Sequence, residues 1–487
     1  MLNDDREFAT DGTSSTHLAP IDEPVHTHLA KNKLGVLAIA FFVVAAAAPM
    51  AAVLGASPIV FSAIGPAAPL AYAVAALLIA LFSVGYLQMS RFITNAGGFV
   101  AYIAKGLGNT WATGGAGLAV LTYLSLQIGL WSQFGVFAQT LVTSLWGADV
   151  PPVIWIVVFV ALVTLLTVRG VDASLRLLGL LIVLETLVIA VLLVALVAHR
   201  GVGVFTLSGF TPGNLFQPGL GVALLFAFLC FTAFEATVVF SEEARDPHRT
   251  IPRALYLVIA FVAAFYGLST WVIGGAVGVD DIQRTATDNP AGFIFDLAES
   301  SAGHGLAVTM EVLVVTSFVA MMLGLGNMFS RYLFALGRAG VLPTRLAVVS
   351  RTGTPSVAAL VNGVVIVLVV STFLLAGADP IAIVFAWFSA LGTASFVTIL
   401  VLTSIAVVVF FRRQGLPGHP WAHLIAPALS VVAFGYVGYL TLDNYTLLSN
   451  DAGGTATKLL FAVPVSLIAG LIRGATKRSI DYHAQAL

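Results

Sequence analysis

Apolar residues run through this chain in long blocks separated by short polar stretches, and that pattern predicts helices that cross a bilayer. A crossing helix needs about 20 largely apolar residues. By that length the chain predicts twelve, at 34–62, 68–91, 113–146, 152–168, 175–198, 218–241, 253–278, 305–337, 356–376, 380–411, 422–442 and 457–473. The fourth is short and is bounded by Pro151 and Pro152. The blocks are too long and too evenly apolar for the periodic patches of a soluble core. The expected fold is an all-α polytopic membrane protein.

Lys and Arg favour the cytoplasmic side of a membrane. With the N-terminus placed inside, 19 of the 22 cationic side chains fall on the inner side, and only Arg200, Arg284 and Lys458 fall outside. A miscount by one span scrambles that segregation, so both termini are expected in the cytoplasm. Residues 1–32 are polar, mixed in charge and contain Pro20 and Pro24. They read as a flexible tail rather than a signal peptide. The expected divisions are this tail, a transmembrane domain at 33–478 and a short inner tail at 479–487.

Two spans are irregular. The first, "LGVLAIAFFVVAAAAPMAAVLGASPIVF", carries Pro49 near its middle. Proline removes a backbone donor and crowds the preceding turn, so it bends or breaks the helix there. The alanines around it allow close approach of another backbone or a ligand. Five spans later, "FTAFEATVVFSEEARDPHRTIPRAL" buries Glu235 in an apolar stretch about seven residues, or roughly 10 Å, before the charges begin at Glu242. Matched irregularities five helices apart fit an inverted repeat, 34–198 against 218–411, with 422–473 appended. In such a repeat, freed amides favour a carboxylate and freed carbonyls an ammonium. The alternative is that Pro49 merely bends a packed helix.

Composition narrows the function. Charged residues make up 9% of the chain, against about 25% in soluble domains. The single cysteine, Cys230, leaves neither a disulfide framework nor a thiolate metal cluster, and no cofactor or metal is expected. The nine histidines lie in the tail, in loops or at span ends, so an intramembrane enzyme lacks its catalytic groups. No ring of like charge or filter-like loop suggests a channel. Nucleic acid is not an expected partner; lipid and a small solute are.

Three acids lie within spans: Glu185, Glu235 and Glu311. Acids at membrane depth are rare and mark solute paths or proton relays, or else they fix packing through polar neighbours. Glu185 lies near the midplane, about 14 Å from Arg176 along the helix. Glu235 and Glu185 are the candidate proton-coupling groups. Tyr123 and Gln127 on the third span, Asn327 on the eighth and Trp387 on the tenth are further pocket candidates, with interhelical packing the competing role. The mixed charges from Glu242 to Arg253 suit inner-side ion pairs that hold one state closed, with Arg91 as a distant partner, or else a solvated face.

The stretch at 231–255 is similar to the sixth-span signature of the amino acid–polyamine–organocation superfamily: Phe-x-Gly-x-Glu, Glu-Glu, Asn/Asp-Pro and Ile-Pro-Arg-Ala. "NMFSRYLFALGRAGVLPTRLAVVSRTGTPSVA" (327–358) resembles its eighth span and following loop, and "NAGGFVAYIAKGLG" (95–108) its Ala-Gly-Gly-x-x-x-Tyr segment. The resemblance implies a LeuT-type fold with alternating access and a substrate site at breaks in spans one and six. By position that site falls on Ala48, Pro49, Met50 and Ala51, and on Phe231, Thr232, Ala233, Phe234 and Glu235. Leu325 matches a residue on the pocket's outer wall in family exchangers, with ordinary packing as the alternative. Where cationic amino acid carriers of the family hold a lysine in place of a sodium ion, this chain holds Glu185. Its protonation would supply the equivalent neutral state. The family's Gly-rich first break is here Pro49-Met50-Ala51, its sixth-span glycine is Ala233, and the acid of its eighth-span Arg-Asp-Gly is Ala339. The implied activity is secondary active transport of amino acids or related amines across the plasma membrane (the inner membrane of a Gram-negative cell), as proton symport. Antiport, export and a transporter-like receptor are the variants that share the fold.

Overall fold

In the computed structural model, residues 35–92, 98–170, 175–239, 244–350, 353–415, 419–443 and 454–476 are described. Their regular structure is helical, with no strand among the described residues. Among the described residues, nine helices are long and apolar enough to cross a membrane. The chain is a polytopic membrane protein.

The first apolar block forms α1 (Val36–Ala47), α2 (Pro49–Ala51), a π-helical turn (Ala52–Ala56) and α3 (Ser57–Ile64). Then follow α4 (Ala68–Ser90), α5 (Gly98–Leu107), α6 (Asn109–Trp146), α7 (Pro152–Val168) and α8 (Leu175–Arg200). After the short α9 (Pro212–Leu215), the block carrying Glu235 forms α10 (Leu220–Leu229), a 3-10 turn (Thr232–Glu235) and α11 (Ala236–Val239). Next come α12 (Pro247–Val277), the short α13 (Ile282–Asp288) and α14 (Phe293–Ala302), α15 (His304–Arg338) and α16 (Ser356–Leu375). A π-helical turn at Pro380–Phe385 opens α17 (Ala386–Gln414), and α18 (Ala426–Asp443) and two helical pieces at Thr455–Leu460 and Ala462–Thr476 follow.

α6, α7, α15 and α16 pack on one another, α1, α3, α4, α10 and α12 form a second set, and α17 packs on both, through α6 on one side and α4 and α10 on the other. α8 touches both, through α1, α2 and α12 on one side and α15 on the other. Its outer face, with Leu180, Leu187 and Val194 exposed, suits lipid.

The first interruption has a local cause. Proline at 49 has no N–H, and the residue before a proline is pushed out of the right-handed helical region. Ala48 adopts φ 44°, the one non-glycine residue at positive φ among those described. Its carbonyl accepts from Ala52 N–H at 3.1 Å and starts the next helix. A side chain in this region costs about 1–2 kcal/mol. Ala48→Gly is therefore expected to raise the stability of the detergent-solubilised protein by about 1 kcal/mol, and Ala48→Val to lower it. Thermal unfolding checks both; a glycine variant that melts lower would remove the strain from the account.

Candidate functional site

The two interruptions face a common cavity with about 740 Å³ of empty space, its open mouth included. The first block contributes Ala47, Ala51, Ala52 and Ala56, the second Leu229, Cys230, Thr232 and Glu235. α6 supplies Tyr123, Leu126, Leu130 and Gln133. α15 adds Met321, Leu325 and Met328, and the π-helical turn before α17 adds Phe385.

Five of the residues singled out from sequence therefore meet on one wall: Ala51, Tyr123, Thr232, Glu235 and Leu325. Ala48, Pro49 and Met50 are buried behind it. Phe231 and Phe234 are buried too. Phe234 sits among Phe82, Tyr86, Phe99 and Phe396, at ring-centroid distances of 5.8–6.2 Å. This aromatic packing fixes the turn that presents its neighbour Glu235. The Ala233 side chain lies outside the described residues, as do Glu242 and Glu243. Of the charges between Glu242 and Arg253, Asp246 and Arg249 form one exposed pair at 3.8 Å.

Part of the main chain freed at the breaks is met from within the protein. Met50 N–H, freed by the break, donates to Glu185 Oε2 at 3.2 Å. At the second break the winding tightens to three-residue bonds, Phe231 N–H to Phe228 O at 2.9 Å and Phe234 N–H to Phe231 O at 3.0 Å. Carbonyls there are taken by the chain's own side chains. Cys230 Sγ–H donates to Phe226 O at 3.4 Å, Thr232 Oγ1–H to Leu229 O at 2.8 Å, and Thr237 Oγ1–H to Phe234 O at 2.7 Å. The reason is general: an unpaired backbone group in an apolar interior is costly, so nearby side chains are recruited to satisfy it.

Glu185 is 2% exposed and lies off the cavity wall. Besides Met50 N–H, the Ser317 hydroxyl of α15 and Tyr266 of α12 stand near it. One carboxyl group thus ties α8 to the first break and to α15. Glu235 is different. It is 7% exposed, opens onto the cavity and accepts no hydrogen bond from any described residue. Glu311 is buried on α15 near Ser144 of α6 and lacks a partner for Oε2 among described residues.

Gln127 serves packing. Its Nε2–H donates to Tyr123 O at 3.1 Å and its Oε1 accepts from Asn362 Nδ2 at 3.0 Å, which joins α6 to α16. Asn327 and Trp387 do not line the cavity. Sequence reasoning passed over Gln133 and Cys230. For Gln133 a signal existed: Leu126, Leu130 and Gln133 sit at i, i+4 and i+7, which places them on one helix face.

The sequence profile of the amino acid permease family matches residues 39–452. The chain belongs to that family. Its members are transporters, not enzymes. It is 26% identical to a branched-chain amino acid permease of Lactococcus lactis, over 75% of this chain and 79% of that one. It is 24% identical to a lysine-specific permease of Escherichia coli, over 78% and 80% of the two chains. An amino-acid permease of Candida albicans is 27% identical over 50% of this chain, and the match spans 40% of that protein's length.

Proposed function

We propose that this permease carries amino acids across the plasma membrane as a proton-coupled symporter working by alternating access. Family membership supports the amino acid; the cavity between two interrupted helices supports the mode. The observation that carries the reading is Glu235, a carboxylate in a mostly apolar cavity with no partner of its own among the described residues. A buried charge is stable only when paired, and the ammonium of an amino acid is a natural partner. Ala51, Tyr123, Thr232 and Leu325 shape the walls around it, with Ala48, Pro49, Met50, Phe231, Ala233 and Phe234 holding the backbone behind.

The wider architecture in this reading is a LeuT-type fold of twelve crossings, a five-plus-five inverted repeat with two added helices and both termini inside. Glu185 is the proton acceptor. Protonation changes the bonds that tie α8 to the first break and to α15, so the proton and the solute act on the same joint between the two helix groups.

Reconstitution into proteoliposomes tests the proposal. With the exterior made acidic, radiolabelled leucine is expected to accumulate against its gradient, and a protonophore to abolish the accumulation. Uptake that ignores the pH gradient but follows a sodium gradient would overturn the coupling. No uptake and no binding of any amino acid would overturn the reading as a whole.

A further inference from the structure

Resting on the reading just given, we infer that Gln133 is the specificity residue that receives the substrate's carboxylate, and that the favoured substrates are zwitterionic amino acids with aliphatic side chains. The starting point is an imbalance of charge. The cavity wall carries one carboxylate, Glu235, and no Lys, Arg or His. Glu235 accommodates the ammonium of a zwitterion, but nothing cationic is present to accept its carboxylate. Met50 N–H, freed at the first-span break, is occupied by Glu185. The carboxylate must then be met by a neutral donor on the wall.

Thr232 Oγ1–H is already committed to Leu229 O. The Tyr123 hydroxyl and the Gln133 carboxamide have no hydrogen bond to a described residue, and of the two only the carboxamide carries a pair of N–H donors. The Gln133 side chain is 2% exposed and lines the cavity. A carboxamide carries two N–H donors, and leaving them unmet in an apolar wall costs about 1–3 kcal/mol. The site is also built around this side chain. It lies against Gly55, inside the π-helical turn Ala52–Ala56, and a Cβ at that glycine would collide with the carboxamide. Single π-helical turns recur at functional sites because they displace the backbone locally. Here the displaced turn seats Gln133 at the cavity edge.

The rest of the wall sets the side-chain class. Leu126, Leu130, Met321, Leu325 and Met328 offer apolar contact and no second charge. An acidic substrate leaves its extra carboxylate beside Glu235 without a partner, and methionines adapt their shape to branched aliphatic chains.

The test compares three probes on the purified full-length protein by ligand-induced thermal shift: leucine, isopentylamine (leucine without its carboxylate) and isocaproate (leucine without its ammonium). For wild type, leucine is expected to bind at least tenfold more tightly than either analogue. In Gln133→Met, of similar shape, leucine affinity is expected to fall tenfold or more while isopentylamine changes less than twofold. That pattern reads out a lost carboxylate contact and excludes simple misfolding. Gln133→Glu is expected to go further, losing leucine through repulsion and binding the amine more tightly. Leucine binding that survives in both variants, or amine binding that falls in step with it, would overturn the role of Gln133. Wild type that ignores leucine while binding another amino acid would overturn the aliphatic class. Wild type that binds no amino acid at all would sink the underlying transport reading instead.

Discussion

Glu235→Gln is expected to lower initial rates of amino acid uptake by about ten- to a hundredfold, with the protein still monodisperse in detergent. A hydrogen bond to a charged group contributes about 1.5–3 kcal/mol, and each 1.4 kcal/mol is about tenfold in affinity. The substitution keeps shape and removes charge. It therefore separates Glu235's electrostatic part from any part in packing, which falls instead to Phe234 and its aromatic neighbours. The effect on isopentylamine should match that on leucine, because both present an ammonium. Uptake within twofold of wild type would show that the free carboxylate is not where the solute's charge goes.

The second large effect is at Glu185. Wild-type uptake is expected to rise as the outer pH falls, since the carrier must take up a proton with its substrate. In Glu185→Gln that dependence is expected to flatten. Accumulation against a gradient should be lost, while exchange of internal for external amino acid persists. The neutral amide still accepts from Met50 N–H and still meets Ser317, so the tie between α8, the first break and α15 survives. What disappears is the group that changes protonation state. A variant with the full pH response of wild type would remove Glu185 from the coupling mechanism.

Much of this arrangement is legible in the sequence because the lipid imposes long-range order on local composition. An apolar run at 356–376 becomes a helix over Ser356–Leu375, and one at 152–168 becomes Pro152–Val168, since the ends are set by Pro and by polarity. Pro49 announced the first interruption through its own chemistry, and Glu235 stood out as an acid in an apolar stretch. Other features depend on partners remote in sequence. Glu185 and Met50 are 135 positions apart, so the freed amide's true acceptor could not be read from the break itself. Gln133 acquires meaning only through Gly55 on another helix and through the apolar residues that surround it. The capped carbonyls at the second break lie between these cases. Thr232 to Leu229 and Thr237 to Phe234 are local three-residue bonds, a habit of threonine that competes with regular winding.

Cys230 offers the most direct measurement. It is the chain's single cysteine, it lies between α10 and the 3-10 turn, and it lines the cavity 4% exposed. Alkylation of the wild-type protein by N-ethylmaleimide, followed with and without saturating leucine, reports occupancy of that space without any mutation. The account predicts that leucine slows the reaction at least tenfold, and that Glu235→Gln removes the protection. A rate unchanged by leucine or any other transported amino acid would contradict it.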